Sequence, residues 1–234
     1  MALRHMEINP DVPMNYICTP TGDELPEMDA HWLDMEERLG REMIRMTAPF
    51  GRGMRLTLNR LIYHFKALPN HRQRWCTRML KIEPTKAFML RLAADGPAIL
   101  YVGLRADEPE RQGLFWGGET QFPMREWEWG VGEVWAYLAK VGVTIPRRTD
   151  CARCYHQRLI EWKVLSEEHP DLYDEAVMQE TMTGRTFRSA KRDNWPAGLS
   201  DLRDEFNSGR PVRGEQAYRD RIERGESPCR VCSL

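Results

Sequence analysis

The sequence predicts an α/β fold with parallel strands, followed by a helical lobe. Residues 98–104 (Ala-Ile-Leu-Tyr-Val-Gly-Leu) form an almost continuous apolar run, which is typical of a strand buried on both faces of a parallel sheet. A shorter β-prone run at residues 15–19 precedes a helical pattern, so strands alternate with helices. From Cys154 onward the hydrophobic pattern is wholly helical. We therefore expect an α/β domain at residues 1–147 and a helical, metal-binding lobe at residues 148–234.

The spacing of apolar residues predicts the helices in chain order. In the first part of the chain, the predicted helices cover residues 27–46, 56–68, 84–94 and 131–141. In the second part, they cover residues 158–168, 171–182, 195–206 and 215–224. Proline and glycine separate the last four helices, because neither residue continues a helix readily.

Composition and charge limit the classes of partner. The formal net charge is -1, which argues against a general nucleic-acid or membrane-surface binder. Only six of the 34 basic residues are lysine, and arginine suits phosphate, sulfate and carboxylate ligands. A GC-rich genome explains that excess equally well. No apolar stretch reaches the roughly 18 residues of a membrane span, and the N-terminus lacks a secretory signal. We expect a cytoplasmic protein with no membrane partner, in which cysteines are thiols or ligands.

Two Cys-x2-Cys pairs predict a metal centre. Cys151 and Cys154 form the first pair, and Cys229 and Cys232 form the second at the far end of the predicted helical lobe. One such pair directs two sulfurs at a single ion or cluster, so two pairs complete a four-sulfur shell. Zinc and a [4Fe–4S] cluster fit this spacing equally well, and a dithiol redox pair is a further alternative. Cys76 stands apart from both pairs and is a rival ligand.

Polar loops follow both predicted strands. Loops at the carboxyl ends of parallel strands meet at the edge of the sheet where α/β proteins bind ligands. Two arginines six residues apart in the second loop could hold a phosphate or sulfate group by charge-assisted hydrogen bonds. Ordinary solvated loops are an equally good interpretation. The residues concerned are Thr21, Gly22 and Glu24 after the first strand, and Gly103, Arg105, Glu108 and Arg111 after the second.

Four segments occur in an order that matches one known family. Residues 16–27 contain Thr-Gly-Asp-Glu, and residues 74–84 contain Trp-Cys, a lysine and a proline. Residues 101–111 contain Gly-Leu-Arg with a later Glu and Arg, and residues 122–138 contain Pro-Met-Arg-Glu-Trp and then Val-Trp-Ala-Tyr-Leu. In these segments the chain resembles the phosphoadenosine phosphosulfate (PAPS) reductase family, which belongs to the PP-loop superfamily (adenine nucleotide alpha hydrolase-like) of adenine-nucleotide enzymes.

The resemblance implies a doubly wound, mostly parallel sheet that binds an adenylated substrate, with ATP or PAPS as candidates. Arg105 and Arg111 would hold the anionic group, while Arg74, Trp75 and Lys81 would line the pocket. Relatives that reduce adenylyl sulfate carry a [4Fe–4S] cluster on an adjacent cysteine pair and a later Cys-x2-Cys. The resemblance therefore favours iron–sulfur over zinc.

The cluster ligands of the family match this chain only in part. Cys76 corresponds to the first cysteine of the adjacent pair, and Thr77 replaces the second. Cys151 and Cys154 match the later pair, so that Cys229 or Cys232 would complete the shell. The family's first strand and its phosphate loop, Ser-Gly-Gly-Lys-Asp-Ser, have no counterpart in residues 1–234, and neither does its C-terminal Glu-Cys-Gly motif. Either the reading frame begins upstream or the nucleotide site has lost this part.

Three functions follow from these observations. The first is a sulfur-metabolism or sulfur-transfer enzyme that acts on an adenylated or ATP-activated substrate, with a sulfur or electron donor protein as partner and a homo-oligomer as one assembly. The second resembles the DNA-phosphorothioation member of the superfamily, although the near-neutral charge does not favour nucleic acid. The third is an inactive binding module that keeps the metal-stapled scaffold.

Overall fold

Helices and very short strands alternate along the first 140 residues of the computed structural model, which describes residues 1–51, 53–113 and 116–225. A π-helical turn at Arg78–Ile82 joins two of the helices. The elements are α1 (Ala2–Ile8), β1 (Ile17–Cys18), α2 (Glu27–Leu39), β2 (Ile44–Arg45), β3 (Pro49–Phe50), β4 (Met54–Arg55), α3 (Leu58–Phe65), α4 (Trp75–Thr77), α5 (Glu83–Ala94), β5 (Ile99–Tyr101), β6 (Glu119–Gln121), α6 (Pro123–Glu126) and α7 (Val131–Lys140).

The strands pair in three separate two-stranded sheets within the described parts of the chain. β1 pairs with β2 and β5 pairs with β6, both in parallel, whereas β3 and β4 form an antiparallel hairpin. The predicted mixture of helices and parallel strands is confirmed. The predicted single doubly wound sheet is not observed, because no described strand joins β1 to β5.

The predicted helix at residues 27–46 is too long. It ends at Leu39, since Gly40 adopts a left-handed conformation (φ 63°) and its N–H donates to the carbonyls of Glu36 and Glu37. The helix ends at this cap, and the chain continues into β2, which pairs with β1. The other predicted helices of this part are confirmed, with ends that shift by up to three residues.

Four helices form the second part of the chain, as predicted: α8 (Leu159–Glu168), α9 (Pro170–Thr183), α10 (Leu199–Asn207) and α11 (Glu215–Glu223). Their core surrounds Trp162, which has no exposed surface and packs against Tyr173 and Phe187 with ring centroids 6.1 and 5.6 Å away. The same core includes Leu61 and Ile62 of α3. The main hydrophobic core therefore crosses the predicted domain boundary at residue 147, and the division into two domains stays a prediction.

No helix in the described ranges is both long enough and apolar enough to cross a lipid bilayer.

Removing the indole of Trp162 should test whether this shared core stabilises the fold. Trp162→Ala leaves a large void among Tyr173 and Phe187, so we expect a loss of about 3–5 kcal/mol in the free energy of unfolding. Urea denaturation followed by circular dichroism measures it. Leu90→Ala is the control, because the Leu90 side chain is exposed and its removal should change stability by less than about 0.5 kcal/mol. Equal losses in both variants would contradict this account of the core.

Candidate metal and anion site

Three of the four described cysteines meet at one small cavity. Cys76 at α4 and both members of the mid-chain pair, Cys151 and Cys154, line this space together with Thr21 and Lys81. The cavity measures about 20 Å³, which is room for roughly one water molecule. The two motifs that sequence analysis treated separately, the cysteine pair and part of the anion site, therefore occupy the same place in the fold.

The loop after β1 approaches the cysteines through Thr21. Its hydroxyl oxygen lies 3.3 Å from the sulfur of Cys151. The carboxylate of Glu24 accepts hydrogen bonds from the Thr21 N–H at 2.6 Å, the Thr21 hydroxyl at 2.7 Å and the Gly22 N–H at 2.9 Å. Glu24 thus holds the loop in shape, and the Thr21 hydroxyl is the group beside the thiol.

Gly22 has a steric role in this loop. Its φ is 71°, and a Cβ at this position would lie 2.7 Å from the Cγ2 atom of Thr57, the residue that caps α3. Any side chain would therefore push the loop away from α3 and shift Thr21 relative to the cysteines.

A buried ion pair joins this loop to the cysteine turn. Asp23 and Arg153 have side chains that are 0% and 2% exposed. The Asp23 carboxylate accepts hydrogen bonds from the Arg153 side chain, at 2.7 Å from Nε, and from its backbone N–H at 3.3 Å. The Asp23 carbonyl also accepts from the Ala152 N–H at 2.6 Å. The segment between Cys151 and Cys154 is therefore fixed to the β1 loop by both backbone and side chain.

The network extends from Arg153 into the helical lobe. Its Nη2 donates to the Asn59 side chain at 2.8 Å, and its Nη1 lies 2.8 Å from Glu175 of α9. Asn59 in turn donates to Glu175 at 2.6 Å and accepts from Gln179 at 2.7 Å. One guanidinium thus connects the β1 loop, α3 and α9. Sequence analysis missed Asp23, Asn59 and Glu175, and only the position of Asp23 within the Thr-Gly-Asp-Glu motif could have indicated a role.

Burial favours the protonated form of the Cys151 thiol. Burial raises its pKa far above the usual range for a thiol, while Lys81 and the hydrogen bond from Thr21 act in the opposite direction. Burial also raises the pKa of Asp23 to about 6, with Arg153 opposing the increase. A metal that binds the sulfur must displace this proton, so metal affinity at this site would increase with pH.

Cationic side chains surround the cysteine turn. Arg148 donates from Nε to the Cys151 carbonyl at 2.9 Å. The Nε and Nη2 atoms of Arg74 are buried and have no acceptor among the residues that the structure describes. Burial lowers the pKa of the His156 imidazole, and the nearby positive charge of Arg74 lowers it further. A buried donor without an acceptor destabilises the folded state, so an anion bound beside Arg74 would be favourable.

The arginines of the second loop lie in ion pairs within their own loop. Arg105 Nη2 and Arg111 Nη1 lie 3.4 and 3.2 Å from the same Glu108 oxygen, Oε1. An anion at this loop would have to share the two guanidinium groups with Glu108. Gly103 lies beside the side chains of Met1 and Met124, and neither it nor the 105–111 loop lines the cysteine cavity.

Trp75 also lies outside the cysteine cavity. Its ring packs edge-on against Phe65, with centroids 5.3 Å apart, and it borders the main hydrophobic core. Of the residues expected from the sequence to contact substrate, Thr21 and Lys81 are the two that the structure brings to the cysteines.

The cysteine sulfur atoms that line the cavity are donors of the type that binds zinc or iron. Within the described ranges, however, no three His, Cys, Asp or Glu side chains have the arrangement that could hold a metal ion. Cys229 and Cys232 lie outside the described residues. A [4Fe–4S] cluster is larger than this water-sized space of about 20 Å³, so the surrounding side chains would have to move outward to hold one. The residues present thus match a bound metal in their donor atoms, and the fourth ligand stays a prediction.

Comparison with known proteins finds no match: no family model, curated protein or solved structure is similar to this chain.

The buried ion pair should contribute strongly to stability. Asp23→Ala leaves the Arg153 guanidinium buried beside fewer acceptors, and we expect a loss of about 3–5 kcal/mol in the free energy of unfolding, measured by urea denaturation. Asp174→Ala is the matched control, since Asp174 pairs with Arg203 at the surface and is 57% exposed. That change should cost less than about 1 kcal/mol. Similar losses in the two variants would contradict the role given to Asp23.

Proposed function

We propose that the chain is a PAPS-reductase-like protein of sulfur metabolism or sulfur transfer, which binds an adenylated or ATP-activated substrate beside an iron–sulfur centre. The observation that carries this proposal is the cavity where Thr21 and Lys81 meet Cys76, Cys151 and Cys154. A hydroxyl, an ammonium group and three thiols at one place combine groups that bind anions with groups that bind iron.

The cysteines would hold the cluster. Cys151 and Cys154 supply two ligands, Cys76 lies at the same cavity, and Cys229 or Cys232 is the proposed source of the fourth. When bound, a [4Fe–4S] cluster supplies a polarising or electron-accepting group next to the substrate. Lys81 and Arg148 lie close enough to offset the negative charge of the thiolates. Zinc in the same ligands is the alternative metal.

The anionic part of the substrate would bind to the unsatisfied donors nearby. Arg74 has two buried nitrogen donors without acceptors in the described part of the chain, and a guanidinium fork matches phosphate or sulfate geometry. Lys81 adds a point charge at the cavity. Arg105 and Arg111 would take part only if the substrate displaced or joined Glu108.

A single sheet that contains both parallel strand pairs is also part of this proposal. We take the two parallel pairs, β1–β2 and β5–β6, as portions of one doubly wound sheet. The loops after β1 and β5 would then share the carboxyl edge of that sheet, and the substrate would lie across them.

A second candidate is a binding module in which the metal is purely structural. The ion pair of Asp23 with Arg153 already fixes the cysteine turn to the β1 loop, so a metal here would reinforce an existing joint between the two parts of the chain. Structural metal sites are closed by four protein ligands, whereas a catalytic centre must leave room for substrate. The DNA-sulfurating alternative gains no support from a specific contact.

The metal proposal predicts iron bound by particular cysteines. The full chain purified without oxygen should be brown, with broad absorbance near 400 nm and about four iron atoms and four sulfides per chain. Cys151→Ser and Cys154→Ser should each lose most of this iron, because each removes a thiolate ligand. Cys18→Ser is the matched control, since Cys18 lies in β1 and does not line the cavity.

Parallel variants assign the remaining ligands and test the metal itself. Loss of iron in Cys76→Ser or in Cys229→Ser identifies which cysteine completes the shell. Stoichiometric zinc without iron would overturn the cluster, and full iron retention in Cys151→Ser would overturn the site.

The substrate proposal predicts nucleotide binding that depends on Lys81. Calorimetry with ATP and with PAPS should give a Kd below about 100 µM, which corresponds to roughly -5.5 kcal/mol. Lys81→Ala and Arg74→Ala should each weaken binding at least tenfold, because each removes a cation from the site. Lys86→Ala is the control, as this lysine is exposed on α5. Iron without nucleotide binding would favour the structural module over the enzyme.

A further inference from the structure

A cavity lies between the starts of α8 and α11 in the helical part of the chain, and we call it the lobe cavity. Residues 158–160, 193–195 and 212–214 line it together with three residues of α11. Its volume is about 550 Å³, which is within the range of sites that bind small molecules. It shares no lining residue with the cysteine cavity, so the proposed metal centre does not account for it.

Basic side chains outnumber acidic ones in the walls of the lobe cavity. Arg158, Arg213 and Arg221 all line it. Asp193 is the one acidic residue among the described residues of these walls. Both oxygens of its carboxylate accept hydrogen bonds from Arg188, at 2.9 and 2.7 Å, and Arg188 does not line the cavity. The walls therefore present positive charge that Asp193 does not neutralise.

The hydrogen-bond donors of Arg158 are only partly satisfied. Its Nη2 lies 3.3 Å from Glu161 Oε1, and the same oxygen lies 3.3 Å from Arg148 Nη1. The Arg158 Nε is buried and has no acceptor in the described part of the chain. The guanidinium carbon lies 5.2 Å from the centroid of the Tyr218 ring. Because stacking of this kind uses the face of the guanidinium, the N–H groups in its plane stay available to an anion.

Arg213 adds positive charge at the start of α11. Its side chain is exposed and pairs with no carboxylate of the described ranges. The next residue, Gly214, is the N-cap of α11, and α8 also begins at this cavity. The first N–H groups of a helix have no acceptor within the helix, and negative charge is favourable near them. The two helix starts thus add to the effect of the arginines.

Aromatic and apolar side chains form the other walls of the lobe cavity. Trp195 is half-buried and Tyr218 is buried, and both line the cavity beside Ile160 and Val212. Arg210 contacts one face of the Trp195 ring, with its guanidinium carbon 4.0 Å from the ring centroid. A cavity of this composition can bury a planar apolar group while a few polar groups fix its orientation.

We propose that the lobe cavity binds a small organic anion that has a planar apolar body. The body lies against Trp195 and Tyr218. The anionic group is a phosphate or a carboxylate and bonds to Arg158 and Arg213, because both groups match the planar fork of a guanidinium. This inference goes beyond the proposed function and stands without it, since no described cysteine and none of the basic residues assigned to the nucleotide lines this cavity.

Size and charge disfavour other occupants. A free phosphate ion would fill only a small part of the 550 Å³ and would leave the aromatic walls in water. An uncharged apolar ligand would leave the buried Nε of Arg158 without an acceptor. Nucleic acid requires many basic contacts along its backbone, whereas the formal net charge of the chain is -1.

The experiment measures binding of naphthyl phosphate, which joins a planar apolar body to a phosphate group, to the full chain. The indole N–H signals are followed by NMR, and the Trp195 signal is identified by its loss in Trp195→Phe. We expect this signal to shift in a saturable way, with a Kd below about 1 mM. Naphthol lacks the charge and inorganic phosphate lacks the ring, so each should bind at least tenfold more weakly than naphthyl phosphate.

Three variants separate this site from a general attraction to positive charge. Arg213→Gln removes an exposed cation, and Arg158→Lys keeps the charge but removes the planar fork. Each should weaken binding of naphthyl phosphate at least fivefold. Ala217→Phe fills the cavity from an exposed position of α11 without a change in charge, and should weaken binding at least tenfold. Arg185→Gln is the matched control, because Arg185 is exposed and lies outside the cavity.

Naphthoate carries a carboxylate in place of the phosphate, and comparison of the two anions identifies the group that the cavity prefers. A saturable Trp195 shift with either anion supports the proposal. No shift with either anion, at concentrations up to ten times the expected Kd, would show that this site does not exist. Equal affinity in Ala217→Phe would show that the anion binds elsewhere, and equal affinity for inorganic phosphate would exclude a role for the aromatic walls. The iron content should be the same in all of these variants, so failure here is distinct from failure of the metal proposal.

Discussion

The buried pair of Asp23 and Arg153 is the interaction on which the candidate site depends. Removing two charges from water costs several kcal/mol per ion, and the cost is offset only where further hydrogen bonds satisfy both groups. Here Asn59 and the backbone at Ala152 supply hydrogen bonds, and the Glu175 carboxylate lies 2.8 Å from Arg153 Nη1 as a further ion-pair partner. In this arrangement the Thr21 hydroxyl lies against Cys151. The cysteine turn and the loop after β1 are held together by charge before any metal is considered.

The cations around the cysteine turn are not equally compensated. Burial favours the neutral thiol of Cys151 over the thiolate. Arg148 already lies 3.3 Å from the carboxylate of Glu161, whereas two buried nitrogens of Arg74 have no acceptor in the described part of the chain. In the loop at residues 105–111, Glu108 likewise pairs with both arginines. A bound anion is thus better accommodated beside Arg74 than at the second loop.

Sequence patterns predicted the helices well, because helical periodicity is a local property of about ten residues. The end of α2 was harder to predict, since the left-handed cap at Gly40 overrides an apolar pattern that continues to Met46. Strands of two or three residues, such as β2 and β6, carry no readable periodicity. The cysteine pair at residues 151 and 154 was visible in the spacing. Its neighbour Asp23 was not, because the two partners of the ion pair are 130 residues apart in the chain.

The same ion pair has a consequence for how this sequence can change over evolutionary time. Substituting one of the two residues leaves the other charge buried without its partner. Replacing both with apolar side chains of similar volume can leave the fold intact. Positions 23 and 153 are therefore expected to covary: a lineage would keep both charges or lose both together. Positions 59 and 175 would follow the same rule more loosely, because each contacts the guanidinium at only one nitrogen.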